Sequence, residues 1–194
     1  MERASIRVGK RDVRYVGARY QVVALTCQNG AGQTHDWEAI ERRDVGDVVV
    51  VFAVTPQRTV PLIEQFRPPV GTRMLELPAG LCDVAGETID AVARRELEEE
   101  TGWVADVLRE APPSAESSGT LQSTLHLFLA TAVERRDTQY GPGEQFMEPR
   151  IIELPLDDLP AAVLRYHAEH PGHLIDTKIL SGYAWWEYFE GGGR

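Results

Sequence analysis

Cysteine is rare in this sequence, and long apolar runs are missing from it. The two cysteines, Cys27 and Cys82, form neither a disulfide framework nor a metal-binding spacing, which is typical of a chain from a reducing compartment. No apolar run reaches the length that a bilayer span requires, and residues 1–5 lead into charged sequence rather than into the apolar centre of a signal peptide. We therefore expect a cytoplasmic protein that makes no membrane contact.

Positive charge is also scarce. The chain has 20 lysines and arginines against 30 aspartates and glutamates, which gives a formal net charge of −10. Such a charge repels a polyanion, and no run of basic residues offsets it, so we do not expect a nucleic acid partner. An acidic protein that handles a phosphorylated ligand needs another source of positive charge, and a bound divalent cation would supply it.

The sequence has no internal repeat, so its organisation is read from hydrophobic periodicity. Residues 45–55 contain a continuous apolar run, as in a strand buried on both faces. Residues 87–101 show helical spacing of apolar side chains and end before Gly102, which is typical of a helix C-terminus. The other predicted strands are residues 14–27, 34–43, 59–67, 103–108, 124–134 and 150–154, and the other predicted helices are residues 157–169 and 175–189.

The alternation of strands and helices predicts an α/β sandwich around a mixed sheet. We place a boundary near residue 44, so that residues 1–44 form a small antiparallel β element and residues 45–194 form the main domain. We interpret His126 as a packed polar side chain in a strand. A stripe at helical spacing near the end of the chain predicts a core or dimer contact. This stripe consists of Ile179, Tyr183, Trp186 and Phe189.

The predicted helix carries glutamates at a spacing that favours metal binding. Glu96, Glu99 and Glu100 are three and four residues apart, so their side chains can share one helical face. Their mutual repulsion costs a few tenths of a kcal/mol per pair, and a hard cation such as Mg²⁺ or Mn²⁺ would turn it into attraction. Arg95 can pair with Glu99 or reach back to Glu87. A glutamate-rich run alone more often forms a solvated face, so the flanking sequence decides.

The flanking sequence resembles the Nudix hydrolases. Their signature, G-x5-E-x7-R-E-U-x-E-E-x-G-U with U an apolar residue, is matched at Gly80, Glu87, Arg95, Glu96, Leu97, Glu99, Glu100, Gly102 and Trp103, with six residues instead of five after Gly80. The resemblance implies metal ligation by Glu96, Glu99, Glu100 and the backbone carbonyl of Ala79. It also implies that Glu87, Arg95 and Glu99 belong to the catalytic machinery and that the cofactor is Mg²⁺ or Mn²⁺.

Residues 63–71 and 75–80, just before this signature, resemble one branch of the family, the ADP-sugar pyrophosphatases. In that branch the arginine that matches Arg67 contacts the diphosphate, a role that suits the fork geometry of a guanidinium. The alternative for Arg67 is a packed stem with its charged head in solvent.

Residues 34–42 resemble the branch's N-terminal Trp-Glu segment, in which two aromatic side chains enclose the adenine. The resemblance assigns base stacking to Trp37 and Tyr20 and completes the pocket with Glu38 and Arg42. Stacking tolerates any base, so hydrogen bonds to the base edge have to provide specificity. The alternative for Trp37 is a core or interface position.

Residues 141–148 resemble a loop of that branch whose glutamate acts as the catalytic base or positions the water. Glu144 matches this glutamate, and Glu148 is the second candidate. An isolated loop glutamate is otherwise a solvated surface charge. Two positions depart from the branch: Ser118 stands where a proline is common, and Ser123 stands where many relatives carry an acid.

The resemblance covers residues 34–155 and implies a hydrolase that cleaves a nucleoside-diphosphate sugar, with ADP-ribose giving AMP and ribose 5-phosphate. The alternatives are a Nudix hydrolase of another nucleoside-diphosphate derivative and a sensor that binds ADP-ribose without hydrolysing it. In this branch the N-terminal element crosses to a partner subunit. We therefore expect a homodimer in which Trp37 and Arg42 of one chain serve the metal site of the other.

Overall fold

The computed structural model describes residues 6–43, 46–138, 140 and 145–190. It divides into two compact units, the first formed by residues 1–48, 81–83 and 114–125 and the second by residues 49–80, 84–113 and 126–194. Among the described residues, no helix is long and apolar enough to cross a membrane.

The first unit is built on a three-stranded antiparallel sheet. Its strands β1 (Arg7–Val16), β2 (Tyr20–Gln28) and β3 (Thr34–Arg42) lie in the order β1-β2-β3. The predicted single strand at residues 14–27 is wrong, because a tight turn splits it between β1 and β2. In this turn the N–H of Gly17 donates to the carbonyl of Tyr20 at 2.8 Å.

Residues 114–125, the last segment of the first unit, contact β3. Leu121 forms a parallel β-bridge with Ile40, and the N–H of Ile40 donates to the carbonyl of Thr120 at 2.7 Å. The short strand β9 (Ser114–Ala115) pairs with the first residues of a longer strand, β10 (Thr124–Arg135). Residues distant in sequence therefore complete the unit that contains the N-terminal sheet.

Two further sheets are built mostly from residues of the second unit. One has the order β7 (Ala79–Leu81), β4 (Val48–Ala53), β10 and β8 (Trp103–Glu110), and the other has the order β11 (Arg150–Pro155), β5 (Thr59–Arg67), β6 (Thr72–Glu76) and β12 (Leu174–Ile175). Every residue of β4 is buried, as its apolar run predicts. Strand β12 is parallel to β6, whereas β5 is antiparallel to β6 and β11. The predicted α/β class with a mixed sheet is confirmed.

Helix α1 (Ile89–Thr101) has a defined cap at each end. The hydroxyl of Thr88 accepts a hydrogen bond from the N–H of Ala91 at 3.3 Å, which is why the helix begins two residues after the predicted start. Gly102 ends it in the left-handed conformation with φ of 75°, a conformation that costs glycine little. The predicted helix is therefore confirmed, with its start corrected to Ile89.

Helices α2 (Leu159–Glu169) and α3 (Lys178–Glu190) complete the described chain. Within the predicted stripe of α3, Ile179 and Trp186 are buried, but Tyr183 and Phe189 are only half-buried. Gly182 takes the intervening buried position, because a β-carbon there would approach the ring of Phe52 to 2.5 Å. The helix also starts later than predicted, since Leu174 and Ile175 form β12 instead.

Candidate active site

The glutamates at the predicted metal-binding positions lie on one face of α1. Glu96 and Glu100 are only 5% and 6% exposed, whereas Glu99 is partly exposed. The backbone N–H of Ala79 donates to Oε2 of Glu100 at 2.9 Å. A buried carboxylate is costly unless hydrogen bonds or opposite charges compensate it. The structure therefore brings together the four predicted metal-binding residues.

Gly80 lies directly against this face. A β-carbon at position 80 would overlap the carboxyl group of Glu96, so a side chain there would displace that carboxylate. The extra residue between Gly80 and Glu87 does not prevent this contact. The close approach explains in physical terms why glycine occupies the position.

Arg95 connects the acidic residues on either side of it. Its Nη1 donates to Oε1 of Glu96 at 2.7 Å and to Oε2 of Glu99 at 3.1 Å, and its Nε donates to Oε1 of Glu87 at 3.3 Å. Burial acts to lower the pKa of Arg95, but the hydrogen bonds to Glu87 and Glu99 and the charge of Glu96 outweigh it and raise that pKa. Arg95 therefore stays cationic and reduces the repulsion between the carboxylates.

The donor atoms on this face fit a hard divalent cation, because Mg²⁺ and Mn²⁺ prefer carboxylate and carbonyl oxygens. Among the described residues, however, no group of three or more aspartate, glutamate, histidine or cysteine side chains is arranged so that it could hold a metal ion. In this arrangement Oε1 of Glu96 accepts a hydrogen bond from Arg95, and Oε2 of Glu100 accepts one from the backbone N–H of Ala79.

Arg67, the predicted diphosphate contact, is held by a buried acid. Its Nε donates to both oxygens of Glu76, at 2.9 and 3.0 Å, while its own side chain is 42% exposed. The hydrogen bond that Arg67 donates to Glu76 raises the pKa of Arg67 against the opposing effect of burial. Arg67 is thus not a simple solvated head. Sequence reasoning missed Glu76, although an acid between two leucines in a strand is a usable signal.

A second buried carboxylate that sequence reasoning missed is Glu64, which is 3% exposed. It accepts a hydrogen bond from the hydroxyl of Tyr166 at 2.6 Å and from Nη1 of Arg73 at 3.3 Å. Burial of the hydroxyl raises the pKa of Tyr166, and the hydrogen bond to Glu64 raises it further. Glu64 therefore ties α2 to β5 and β6.

Arg73 also binds Glu148, the second candidate for the catalytic base. Its Nη2 donates to Oε2 of Glu148 at 2.8 Å, and its Nη1 donates to the backbone carbonyl of Glu148 at 3.1 Å. These two contacts connect Glu148 to β6. Glu144, the first candidate, lies outside the described residues.

The predicted base-stacking side chains lie on neighbouring strands but not side by side. The β2–β3 register places Tyr20 opposite Arg42 and Trp37 opposite Leu25. The five residue steps from Trp37 to Arg42 correspond to about 17 Å along a strand, well beyond the separation at which two rings enclose a base. Tyr20 and Trp37 are 46% and 51% exposed. Within this unit, the structure does not bring them together.

The remaining predicted pocket residues differ from each other in their surroundings. Glu38 is exposed on β3, opposite Ala24. Arg42 is half-buried, with its Cζ 5.9 Å from the centre of the Tyr20 ring, and it forms an ion pair with Glu116 at 2.9 Å. The hydrogen bonds that Arg42 donates to Glu116 raise the pKa of Arg42, and burial opposes this rise. Sequence reasoning missed Glu116, which is 74 residues away along the chain.

Comparison with known proteins agrees with the geometry of the carboxylate face. The NUDIX domain family matches residues 44–176. An ADP-sugar pyrophosphatase from Mus musculus is 36% identical over 172 residues, which cover 80% of this chain and 76% of that protein. The chain belongs to the Nudix family.

Two further comparisons, one with a relative of a different name and one with a solved structure, bear on the substrate and on the fold. A methanol dehydrogenase activator from Bacillus methanolicus is 34% identical to this Nudix protein over 150 residues, covering 77% of this chain and 75% of that one. A solved structure described as an ADP compounds hydrolase matches with a TM-score of 0.74 at 15% identity and covers 100% of both chains, which supports the fold. Relatives of similar identity have different names, so the substrate has to be argued from the site.

Proposed function

We propose that this Nudix protein is a metal-dependent pyrophosphohydrolase of nucleoside-diphosphate sugars, with ADP-ribose cleaved to AMP and ribose 5-phosphate. The observation that carries the proposal is the buried carboxylate face of α1, which lies in the same compact unit as Arg67, whose guanidinium is held by Glu76. Oxygen ligands for a cation and a guanidinium fork for phosphate oxygens are the two groups that a pyrophosphate requires.

Nudix hydrolases work with a divalent cation, and we propose Mg²⁺ or Mn²⁺ for this one. Bound there, the cation supplies charge neutralisation at the diphosphate and lowers the pKa of a water molecule. Glu96, Glu100 and the backbone carbonyl of Ala79 would hold it, with Glu99 as a further carboxylate. Arg95 would keep these acids oriented, because it contacts Glu96 and Glu99 directly and Glu87 behind them.

Arg67 would bind the diphosphate and orient it for attack. Glu76 fixes the plane of its guanidinium through hydrogen bonds to Nε and Nη2, while much of the side chain stays exposed to a ligand. A fixed guanidinium loses little conformational entropy when it binds phosphate oxygens. We propose Glu144 as the base that takes the proton of the attacking water, since the engagement of Glu148 with Arg73 favours an anchoring role for Glu148.

Base binding would be completed by a second copy of the chain. Trp37 and Tyr20 of one chain lie too far apart along the strands to enclose one base, and both are exposed. Strand β1 leaves apolar side chains exposed to water, among them Val8, Tyr15 and Val16. Exposed apolar side chains that lie together are typical of a protein–protein interface. We propose a two-fold homodimer in which these exposed apolar side chains are covered and Trp37, Glu38 and Arg42 serve the carboxylate face of the partner.

The proposal is tested by measuring the products of the purified chain with Mg²⁺ on ADP-ribose, other nucleotide sugars, a dinucleotide, coenzyme A and a nucleoside triphosphate. We expect the highest kcat/KM for ADP-ribose, with equal amounts of AMP and ribose 5-phosphate. Faster hydrolysis of another substrate would replace ADP-ribose as the substrate. Tight binding of ADP-ribose without products, with Mg²⁺ and with Mn²⁺, would instead establish a sensor.

A further inference from the structure

The ion pair between Arg42 and Glu116 is the starting point of this inference. Nη1 of Arg42 donates to Oε2 of Glu116 at 2.9 Å, and Nη2 donates to Oε1 at 3.1 Å. This bidentate geometry fixes both the position and the plane of the guanidinium. The Arg42 side chain is only 12% exposed, so solvent screens the pair weakly. Glu116 is held in turn by Ser123, whose hydroxyl donates to Oε2 at 2.7 Å.

Trp37 is held by the same part of the chain as Arg42. Its indole Nε1 donates to the carbonyl of Gly119 at 3.0 Å. Between these two contacts, the carbonyl of Ile40 accepts a hydrogen bond from the N–H of Gln122 at 3.1 Å. We call residues 116–123 the bracing segment, because it contacts β3 at Trp37, Ile40 and Arg42. Two residues assigned to base binding thus depend on one segment for their orientation.

The exposure of the pair bears on what Arg42 can recognise. Arg42 and Arg67 are both paired with a carboxylate, but the Arg67 side chain is 42% exposed and can meet an anion, whereas the Arg42 side chain is only 12% exposed. Its fixed plane also lies beside the ring of Tyr20, 5.9 Å from the centroid. Such an arrangement favours recognition of an uncharged base edge over non-selective binding of the diphosphate.

We propose that Glu116 is a positioning residue that sets the base preference of the active site by orienting Arg42 within the bracing segment. This rests on the proposed function. Glu116 acts through Arg42 and not on the reacting atoms, so its loss affects substrate binding and base discrimination more than turnover.

The test compares Glu116→Gln with wild type on ADP-ribose and on a guanosine and a uridine diphosphate sugar. A charge-assisted hydrogen bond of ordinary strength predicts about a tenfold rise in KM for ADP-ribose. We expect kcat to stay within about twofold and the preference for ADP-ribose over the other two sugars to shrink. A KM and a base preference that both stay unchanged overturn the proposal.

A matched control exists on the same sheet. Glu41, next to Arg42 on β3, is bound by Arg11 through Nε at 2.9 Å and by Gln21 at 2.7 Å. Glu41→Gln removes an equivalent ion pair without touching the bracing segment, so KM should not change. If Glu41→Gln raises KM as much as Glu116→Gln does, the effect is general weakening of the sheet and the proposal fails.

A double-mutant cycle separates positioning from an independent role of Glu116. If Glu116 works through Arg42, Glu116→Gln adds no further rise in KM to an Arg42→Ala chain. Additive effects in the cycle contradict the proposal.

Binding of ADP-ribose without metal, measured by calorimetry in EDTA, separates this inference from the proposed function. Weaker binding by Glu116→Gln in a chain that does not hydrolyse the substrates keeps the positioning role and rejects the proposed hydrolysis. Hydrolysis by wild type with no effect of Glu116→Gln on binding rejects the positioning role alone. Neither binding nor hydrolysis by wild type rejects both.

Discussion

The carboxylate face of α1 and the N-terminal sheet differ in the burial and spacing of their candidate site residues. On α1, Glu96 and Glu100 are buried, and their partners Arg95 and Ala79 belong to the same unit. On the sheet, Tyr20 and Trp37 are half-exposed and far apart. The proposed metal-binding face is thus assembled within one chain, whereas the residues proposed to bind the base do not form a pocket within one chain.

The largest effect is expected when charge is removed from the carboxylate face. We expect Glu96→Gln and Glu100→Gln each to lower kcat by about three orders of magnitude or more, because each removes charge stabilisation worth several kcal/mol at the transition state. Steady-state kinetics at saturating Mg²⁺ measure the loss, and circular dichroism checks the fold. Glu98→Gln is the matched control, since Glu98 pairs with Arg136 and not with Arg95. Near-wild-type turnover by either ligand variant would refute the metal assignment.

Mixing two inactive chains tests whether the N-terminal sheet serves a partner. One chain carries Trp37→Ala and Arg42→Ala, and the other carries Glu96→Gln and Glu100→Gln. If the sites are shared, each heterodimer regains one intact site, so an equimolar mixture should recover about a quarter of wild-type activity. Activity assays after subunit exchange measure the recovery. Demonstrated heterodimers without recovery, or an active monomer by light scattering, would show that each chain builds its own site.

The next prediction concerns the two candidates for the catalytic base, Glu144 and Glu148. Glu144→Gln should lower kcat by about a hundredfold with little change in KM, since a general base acts mainly in the transition state. Glu148→Gln should lower kcat only a few-fold, because its carboxylate is bound to Arg73. Stopped assays with both variants measure the difference. The reverse ranking would identify Glu148 as the base.

The smallest expected effect concerns the ion pair of Glu41 on the sheet. The hydrogen bond from Arg11, against a smaller opposing effect of burial, lowers the pKa of Glu41. A lowered pKa adds stability above the unfolded-state pKa, and that stability is lost as the pH falls. Glu41→Gln should therefore cost about 1 kcal/mol or less at pH 7, and the difference from wild type should start to shrink below the unfolded-state pKa of about 4.3 and vanish only below the lowered pKa of the folded state. Urea unfolding at several pH values measures it, and a pH-independent difference would contradict the assignment.

The sequence alone predicted the elements whose signal is local. The apolar run of β4 and the helical spacing in α1 depend on neighbours along the chain, so they could be read before any tertiary contact was known. The shared face of Glu96, Glu99 and Glu100 follows from helix geometry in the same way. The resemblance to the Nudix signature added the expected chemistry, and the close contact between Gly80 and Glu96 gives one of its positions a physical reason.

Only the tertiary structure decided which charged side chains meet. Arg67 on β5 reaches Glu76 on β6, although the register places Glu76 opposite Ile63, and Glu116 binds Arg42 across 74 residues of sequence. The distance between Trp37 and Tyr20 is likewise set by the β2–β3 register. Periodicity determines which face of an element is buried, but it carries no information on the partner that the face meets. That choice comes from strand pairing and packing over the whole chain.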